Sequence, residues 1–126
     1  LRLCECRIGD ASLKTVGLLP GLVDVALTGT SITDAGLIHL ANCKELVNLD
    51  LSDCKIDGSG LRHILDNRKL KRLDARNSCI TSAGLATIQE HPSLDYVNVE
   101  DSRVSIEEYL YFYAMLPRNR SEEDNE

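Results

Sequence analysis

The chain has 126 residues, 27% of them charged, and a formal net charge of −6. Four acids and no base lie in the last six residues, SEEDNE, so the rest stands near neutral at −2, which argues against a nucleic-acid footprint. No apolar run approaches the roughly 18 residues of a membrane span, and no basic-then-apolar leader opens the chain, so no membrane contact is expected. Five cysteines, Cys4, Cys6, Cys43, Cys54 and Cys79, form an odd set without framework spacing. Reduced thiols and a cytoplasmic setting follow.

In chain order, residues 1–21 form a truncated first copy of a phrase that then recurs. The chain opens on Leu1 in mid-phrase and without Met, which reads as part of a longer chain or complex. Full copies are LVDVALTGTSITDAGL from Leu22, LVNLDLSDCKIDGSGL from Leu46 and LKRLDARNSCITSAGL from Leu70, each 24 residues after the last. A looser copy starts at Leu94. A fixed period in this range is the signature of a solenoid. The expected boundaries are repeats 22–45, 46–69 and 70–93, a C-terminal capping repeat 94–117, and an acidic disordered tail 118–126.

With each opening leucine as position one, positions four and six are Leu1 and Leu3, Val25 and Leu27, Leu49 and Leu51, Leu73 and Ala75, Val97 and Val99. Apolar residues two apart mark a short strand with one buried face. Strands recurring in the same sense must run parallel, with a crossover after each. Position nine holds the small residues Cys6, Thr30, Cys54, Ser78 and Ser102, expected to turn inward and meet backbone groups. Position eleven is an aliphatic column, Ile8, Ile32, Ile56, Ile80 and Val104. Such a column packs on its own copies rather than on a distant core.

Position twelve, Gly9, Thr33, Asp57, Thr81 and Ser105, supplies four helix N-caps, and Ser105-Ile-Glu-Glu108 is a capping box. Gly36, Gly60 and Gly84 precede the leucine column Leu37, Leu61 and Leu85. Glycine is costly in a helix, so its recurrence predicts turns packed too closely for a larger side chain. The short helices are expected to end at Asn42, Asn67 and His91-Pro92. The last helix carries Tyr109, Tyr111, Phe112 and Tyr113, with Tyr109 and Phe112 placed to cover the end of the stack and Pro117 to stop the helix.

These residues resemble the cysteine-containing subtype of the leucine-rich repeat, whose pattern Leu46 to Leu61 follows almost position for position. The resemblance implies an α/β fold, a leucine-rich repeat solenoid of about five 24-residue turns with parallel strands on a concave face and short helices on a convex one. Two settings share this subtype: the substrate-recognition arm of F-box ubiquitin-ligase subunits, and bacterial arrays of Thr-Asp-Ala-Gly-Leu repeats. No F-box segment is present, and only Cys6 and Cys54 stand at the signature cysteine position.

No reactive set converges in the sequence, so neither an enzyme nor a cofactor or metal site is expected. His39 and His63 share position eighteen, but the neighbouring copies offer Lys14 and Thr87, which are poor ligands. No Cys-x-x-Cys pair, phosphate loop or Ser-His-Asp set occurs. Function is therefore expected on the concave face, whose positions three, five, seven and eight carry seven acids and three bases. The expected contacts to a protein partner are Tyr96, Arg72, Arg76, Asp50, Asp74, Asn98, Glu100 and Asn48. Tyr96, taken as exposed beside arginines, has the composition of an interface hot spot. The remaining reading makes these repeats a purely structural C-terminal cap of a longer solenoid.

Overall fold

The computed structural model describes residues 1–116. Pro117 and the acidic tail expected at 118–126 lie outside the described residues. Four three-residue strands, β1 (Asp24–Ala26), β2 (Asn48–Asp50), β3 (Arg72–Asp74) and β4 (Tyr96–Asn98), form one sheet in the order β1-β2-β3-β4. All pairs are parallel, and the register aligns Val25, Leu49, Leu73 and Val97. Those residues, and Leu27, Leu51, Ala75 and Val99 two places on, are buried. The same-face period of two thus put the apolar set inward in every copy.

Each strand is joined to the next through a helical segment. α1 (Asp10–Val16) precedes β1, two 3₁₀ segments (Asp34–Asn42 and Leu61–Ile64) link β1 to β2 and β2 to β3, α2 (Ser82–Gln89) links β3 to β4, and α3 (Ile106–Ala114) follows β4. Ile32, Ile56 and Ile80 are fully buried between sheet and helices. The arrangement is an α/β repeat fold. The sheet has four strands rather than the five expected. Residues 1–5 run beside β1 in the same sense: Leu1 N donates to Asp24 O, Leu3 N to Ala26 O and Glu5 N to Thr28 O, and Ala26 N donates to Leu1 O, around a bridge of Arg2 with Ala26.

Two of the expected caps form. Thr81 accepts from the Gly84 N–H, and Ser105 and Glu108 make the full capping box. Thr33 and Asp57 do not cap their helices. The reason is a bond set that runs between repeats. The Asp10 carboxylate accepts from the Thr33 N–H at 2.8 Å and from its hydroxyl, which therefore is not the helix cap. Asp34 accepts from the N–H groups of Asp57 (2.8 Å), Gly58 (3.1 Å) and Gly60 (2.8 Å). Free N–H groups at that turn are thus met from the preceding repeat, and the Asp57 carboxylate accepts from the Ser59 N–H at 2.8 Å.

The expected close packing at the glycine column is present. A Cβ at Gly60 would stand 2.2 Å from the Asp34 carbonyl oxygen, one at Gly36 2.3 Å from the Asp10 carboxylate, and one at Gly84 2.6 Å from the Asp57 carbonyl oxygen.

At position nine, Thr30, Ser78 and Ser102 donate to the carbonyls of Leu27, Ala75 and Val99, and the Cys54 thiol donates to Leu27 O at 3.1 Å. Cys6 is the exception: it is exposed, not turned inward, and its thiol reaches only its neighbour Cys4 O.

A second polar column runs through the core at position twenty-two. Cys43 and Asn67 are buried, and Asn67 Nδ2 donates to Leu40 O (3.0 Å) and Cys43 O (3.3 Å) of the preceding repeat. One repeat on, buried His91 donates from Nε2 to Ile64 O at 3.0 Å while its Nδ1 accepts from the Ser93 N–H at 3.2 Å. Both ring nitrogens are committed in the neutral tautomer. Burial also pushes its pKa below the ordinary 6.5. At the far end, Phe112 and Leu116 are buried, and the Tyr109 hydroxyl donates to Val97 O at 2.9 Å. That carbonyl faces away from β3, because the next one, Asn98 O, accepts from Ala75 N.

Gly60→Ala is expected to destabilise the fold by about 1–3 kcal/mol, since a backbone oxygen rather than a flexible side chain blocks the methyl. Urea unfolding checks this, and an unchanged midpoint would contradict the packing described. For His91, the unfolded chain takes up a proton near pH 6.5 and the folded chain only at lower pH. Stability is therefore full above that value and falls as pH drops below it. His91→Asn, which repeats the Asn67 arrangement, is expected to flatten this dependence. Urea midpoints at about pH 7.5 and about pH 5 report it; equal slopes for the two proteins would rule the account out.

Candidate functional site

Strand residues that alternate with the buried leucines form the open face of the sheet. A depression of about 560 Å³ lies there, lined by Arg2, Asp24, Ala26, Asn48, Asp50, Arg72, Asp74, Arg76 and Tyr96 among others. Of the eight expected contacts, Asn48, Asp50, Arg72, Asp74, Arg76 and Tyr96 border this depression, whereas Asn98 and Glu100 are not among its lining residues. The face presents its residues in rows across the strands. One row is Asp24, Asn48, Arg72 and Tyr96; the next is Ala26, Asp50, Asp74 and Asn98.

The second row is tied to the backbone. Asp50 Oδ1 accepts from the Ser52 N–H at 2.9 Å and from its hydroxyl. Asp74 Oδ1 accepts from the Arg76 N–H at 3.2 Å, and Asn98 Oδ1 from the Glu100 N–H at 3.0 Å. Each bond joins the last residue of a strand to the residue two places beyond it, where the chain passes out of the strand and its N–H needs a new acceptor. Asp74 also binds the Arg76 guanidinium through Nε (3.1 Å) and Nη2 (3.0 Å). Hydrogen bonding to Asp74 holds the Arg76 pKa above its ordinary value. Asn98 is buried. Asp74, Arg76 and Asn98 thus have much of their polar capacity spent within the fold.

The first row is different. Asn48 Nδ2 donates to Asp24 Oδ1. Arg72 is exposed, and its Cζ lies 4.4 Å from the Tyr96 ring centroid. Tyr96 is half-buried beneath it rather than exposed as expected, because the guanidinium covers one ring face. Stacking uses the flat face of the guanidinium and leaves its edge donors for a ligand.

Position eight, expected on this face, is where the chain turns away. Glu5, Asp53, Asn77 and Asp101 have φ of 52–57 and Gly29 has φ 71. Asp and Asn tolerate this left-handed region better than most residues. Their side chains belong to the turn; Asn77 Nδ2, for example, donates to Asp53 Oδ1. Arg2, Asp24 and Ala26 line the depression but stand outside the expected contact set. The strand alternation alone was enough to place them there.

No group of three or more His, Cys, Asp or Glu able to hold a metal ion occurs among the described residues. All five cysteines are free; Cys43 and Cys54 are buried, and burial raises the Cys43 pKa. Among the described residues, no helix is long and apolar enough to cross a membrane.

Residues 42–65 match the family model described as a Leucine Rich repeat. The matched segment is one period long and contains β2 and the second 3₁₀ segment. No curated protein matches the chain. With the parallel sheet and its helices, the match supports a leucine-rich repeat protein. Such repeats generally mediate protein–protein interaction and are typically non-enzymatic.

If Asp50 and Asp74 serve the backbone as described, Asp50→Ala and Asp74→Ala should each cost about 0.5–1.5 kcal/mol of stability. Arg72→Ala should stay within about 0.5 kcal/mol. Denaturant titration of the three variants separates the two classes; a larger loss for Arg72→Ala than for the aspartates would refute the division.

Proposed function

We propose that the chain is a non-enzymatic recognition module, a leucine-rich repeat solenoid that binds a protein partner through the open, concave face of its sheet. The observation that carries this reading is the Arg72–Tyr96 stack beside a depression of about 560 Å³. An aromatic anchor under an arginine whose edge donors face solvent is the side-chain composition of an interface hot spot. Asn48, Asp50, Asp74 and Arg76 border the same depression, the last two bonded to each other, while Asn98 and Glu100 extend the expected contact set beyond it. Residues 94–117 serve in this reading as the closing repeat. Its support is the burial of Phe112 and the bond from Tyr109 to the outer edge of β4. An edge blocked in this way does not template a further strand.

A cytoplasmic setting rests on the odd number of cysteines and their lack of framework spacing. The narrower role of substrate-recognition arm in a ubiquitin-ligase complex rests on the resemblance of Leu46 to Leu61 alone. The purely structural role makes the opposite statement about the face: substitutions there change nothing.

Four three-residue strands present a small area compared with the roughly 800 Å² per partner of a standard interface. The face by itself is therefore a weak binder, supplemented by its rims. With a partner captured by the parent protein, Tyr96→Ala and Arg72→Glu should each weaken binding by about 2 kcal/mol, close to thirtyfold, without loss of fold. Isothermal titration with circular dichroism of each variant checks this. Wild-type affinity for both variants favours the purely structural role.

A further inference from the structure

We propose that the Arg72–Tyr96 pair receives a single carboxylate of the protein partner, an aspartate or glutamate side chain, held between the guanidinium edge and the tyrosine hydroxyl. The inference rests on the reading of the open face as the recognition surface. Arg72 and Tyr96 stand side by side in register on β3 and β4. The Arg72 Cζ lies 4.4 Å from the ring centroid, so the two side chains form one stacked unit. Both line the depression.

The donors of this unit are unused. The Arg72 side chain joins no ion pair and makes no hydrogen bond among the described residues, which leaves its five N–H groups open. The tyrosine hydroxyl is set as a donor by a short chain of bonds. The Glu100 N–H donates to Asn98 Oδ1 at 3.0 Å. This fixes the amide, so Asn98 Nδ2 is the end that meets Tyr96, and it donates to the hydroxyl oxygen at 3.4 Å. The hydroxyl therefore accepts from Asn98, and its own proton has no acceptor among the described residues. Asn98 is buried, which holds the chain of bonds in place.

The groups around the unit decide which anion it takes. Asp74, two places along β3 from Arg72, is committed to Arg76 through Nε (3.1 Å) and Nη2 (3.0 Å). Asp50 Oδ1 is held by the Ser52 N–H at 2.9 Å, and Asn48, the other neighbour of Arg72 in register, gives its amide N–H to Asp24. No carboxylate of the fold thus takes the Arg72 donors. Asp50, Asp74 and the exposed Glu100 still add negative potential to this face. A phosphoryl group, with a charge of about −2, is repelled by them roughly twice as strongly as a carboxylate. A planar carboxylate also matches the planar edge of the guanidinium. A cationic side chain is opposed by Arg72 itself, with Arg2, Arg76 and the Leu1 ammonium around the same depression.

The test titrates the full chain with blocked tripeptides Ac-Gly-X-Gly-amide, where X is glutamate, glutamine, phosphoserine or lysine, and follows NMR signals. The reporters are the Arg72 Nε–H and the Tyr96 ring. The glutamate peptide should shift both saturably, and the glutamine and lysine peptides should not. Phosphoserine should bind no more tightly than glutamate. Tyr96→Phe, which keeps the ring and its stack, should weaken the glutamate peptide by about fivefold. Arg72→Gln should weaken it by about tenfold or more. Circular dichroism checks that both variants are folded. Tighter binding of phosphoserine, unchanged glutamate affinity in either variant, or silence of both reporters overturns the proposal. In each of these cases a loss of affinity for the captured partner on Arg72→Glu keeps the open-face reading. Wild-type affinity of Arg72→Glu for that partner overturns both.

Discussion

A single turn of this chain cannot satisfy its own polar groups, and the rest of the structure follows from that. The Asp34 carboxylate shows the constraint most plainly. It accepts from three backbone N–H groups, and all three belong to the next repeat. Asn67 and His91 do the same in the opposite sense, donating to carbonyls at the helix ends of the repeat before. Buried backbone groups must be paired, so each repeat is stable only with a neighbour in register.

The close approach these bonds require explains the glycine column. Gly60 lies against the Asp34 carbonyl, and the same Asp34 holds the turn that leads into the second 3₁₀ segment. The four residues of that segment begin only at Leu61, after the backbone at Asp57, Gly58 and Gly60 has been claimed. The tight helix type and the absent Asp57 cap thus have one cause. The left-handed residues at position eight are another product of the repeat, since every strand must turn out of the sheet after the same number of residues.

This economy reaches the open face. Asp50, Asp74 and Asn98 meet N–H groups just beyond the ends of their strands, so part of what looks like a free polar surface is scaffold. What stays available, in the row above it, is Arg72 on its tyrosine. A repeat fold separates structure from recognition by alternation along each strand. Here the separation is incomplete, and substitutions in the second row will confound binding with stability.

The strands, their parallel order and the buried columns were legible in the 24-residue spacing, because burial on one face of a strand or helix is written in the local alternation of apolar residues. The Ser105 capping box was legible for the same reason, since both partners lie within one turn of helix. Tertiary structure decided the rest. Thr33 gave its hydroxyl to Asp10, Cys6 lay open to solvent, and His91, read as the end of a helix, proved to be a core donor. It also decided that Tyr96 lies under Arg72 and that Asn48 is drawn to Asp24. Each of these depends on which groups meet across repeats, between residues some 23–27 apart in the chain. Periodicity shows that two repeats stack; only the stacked geometry determines which donor finds which acceptor.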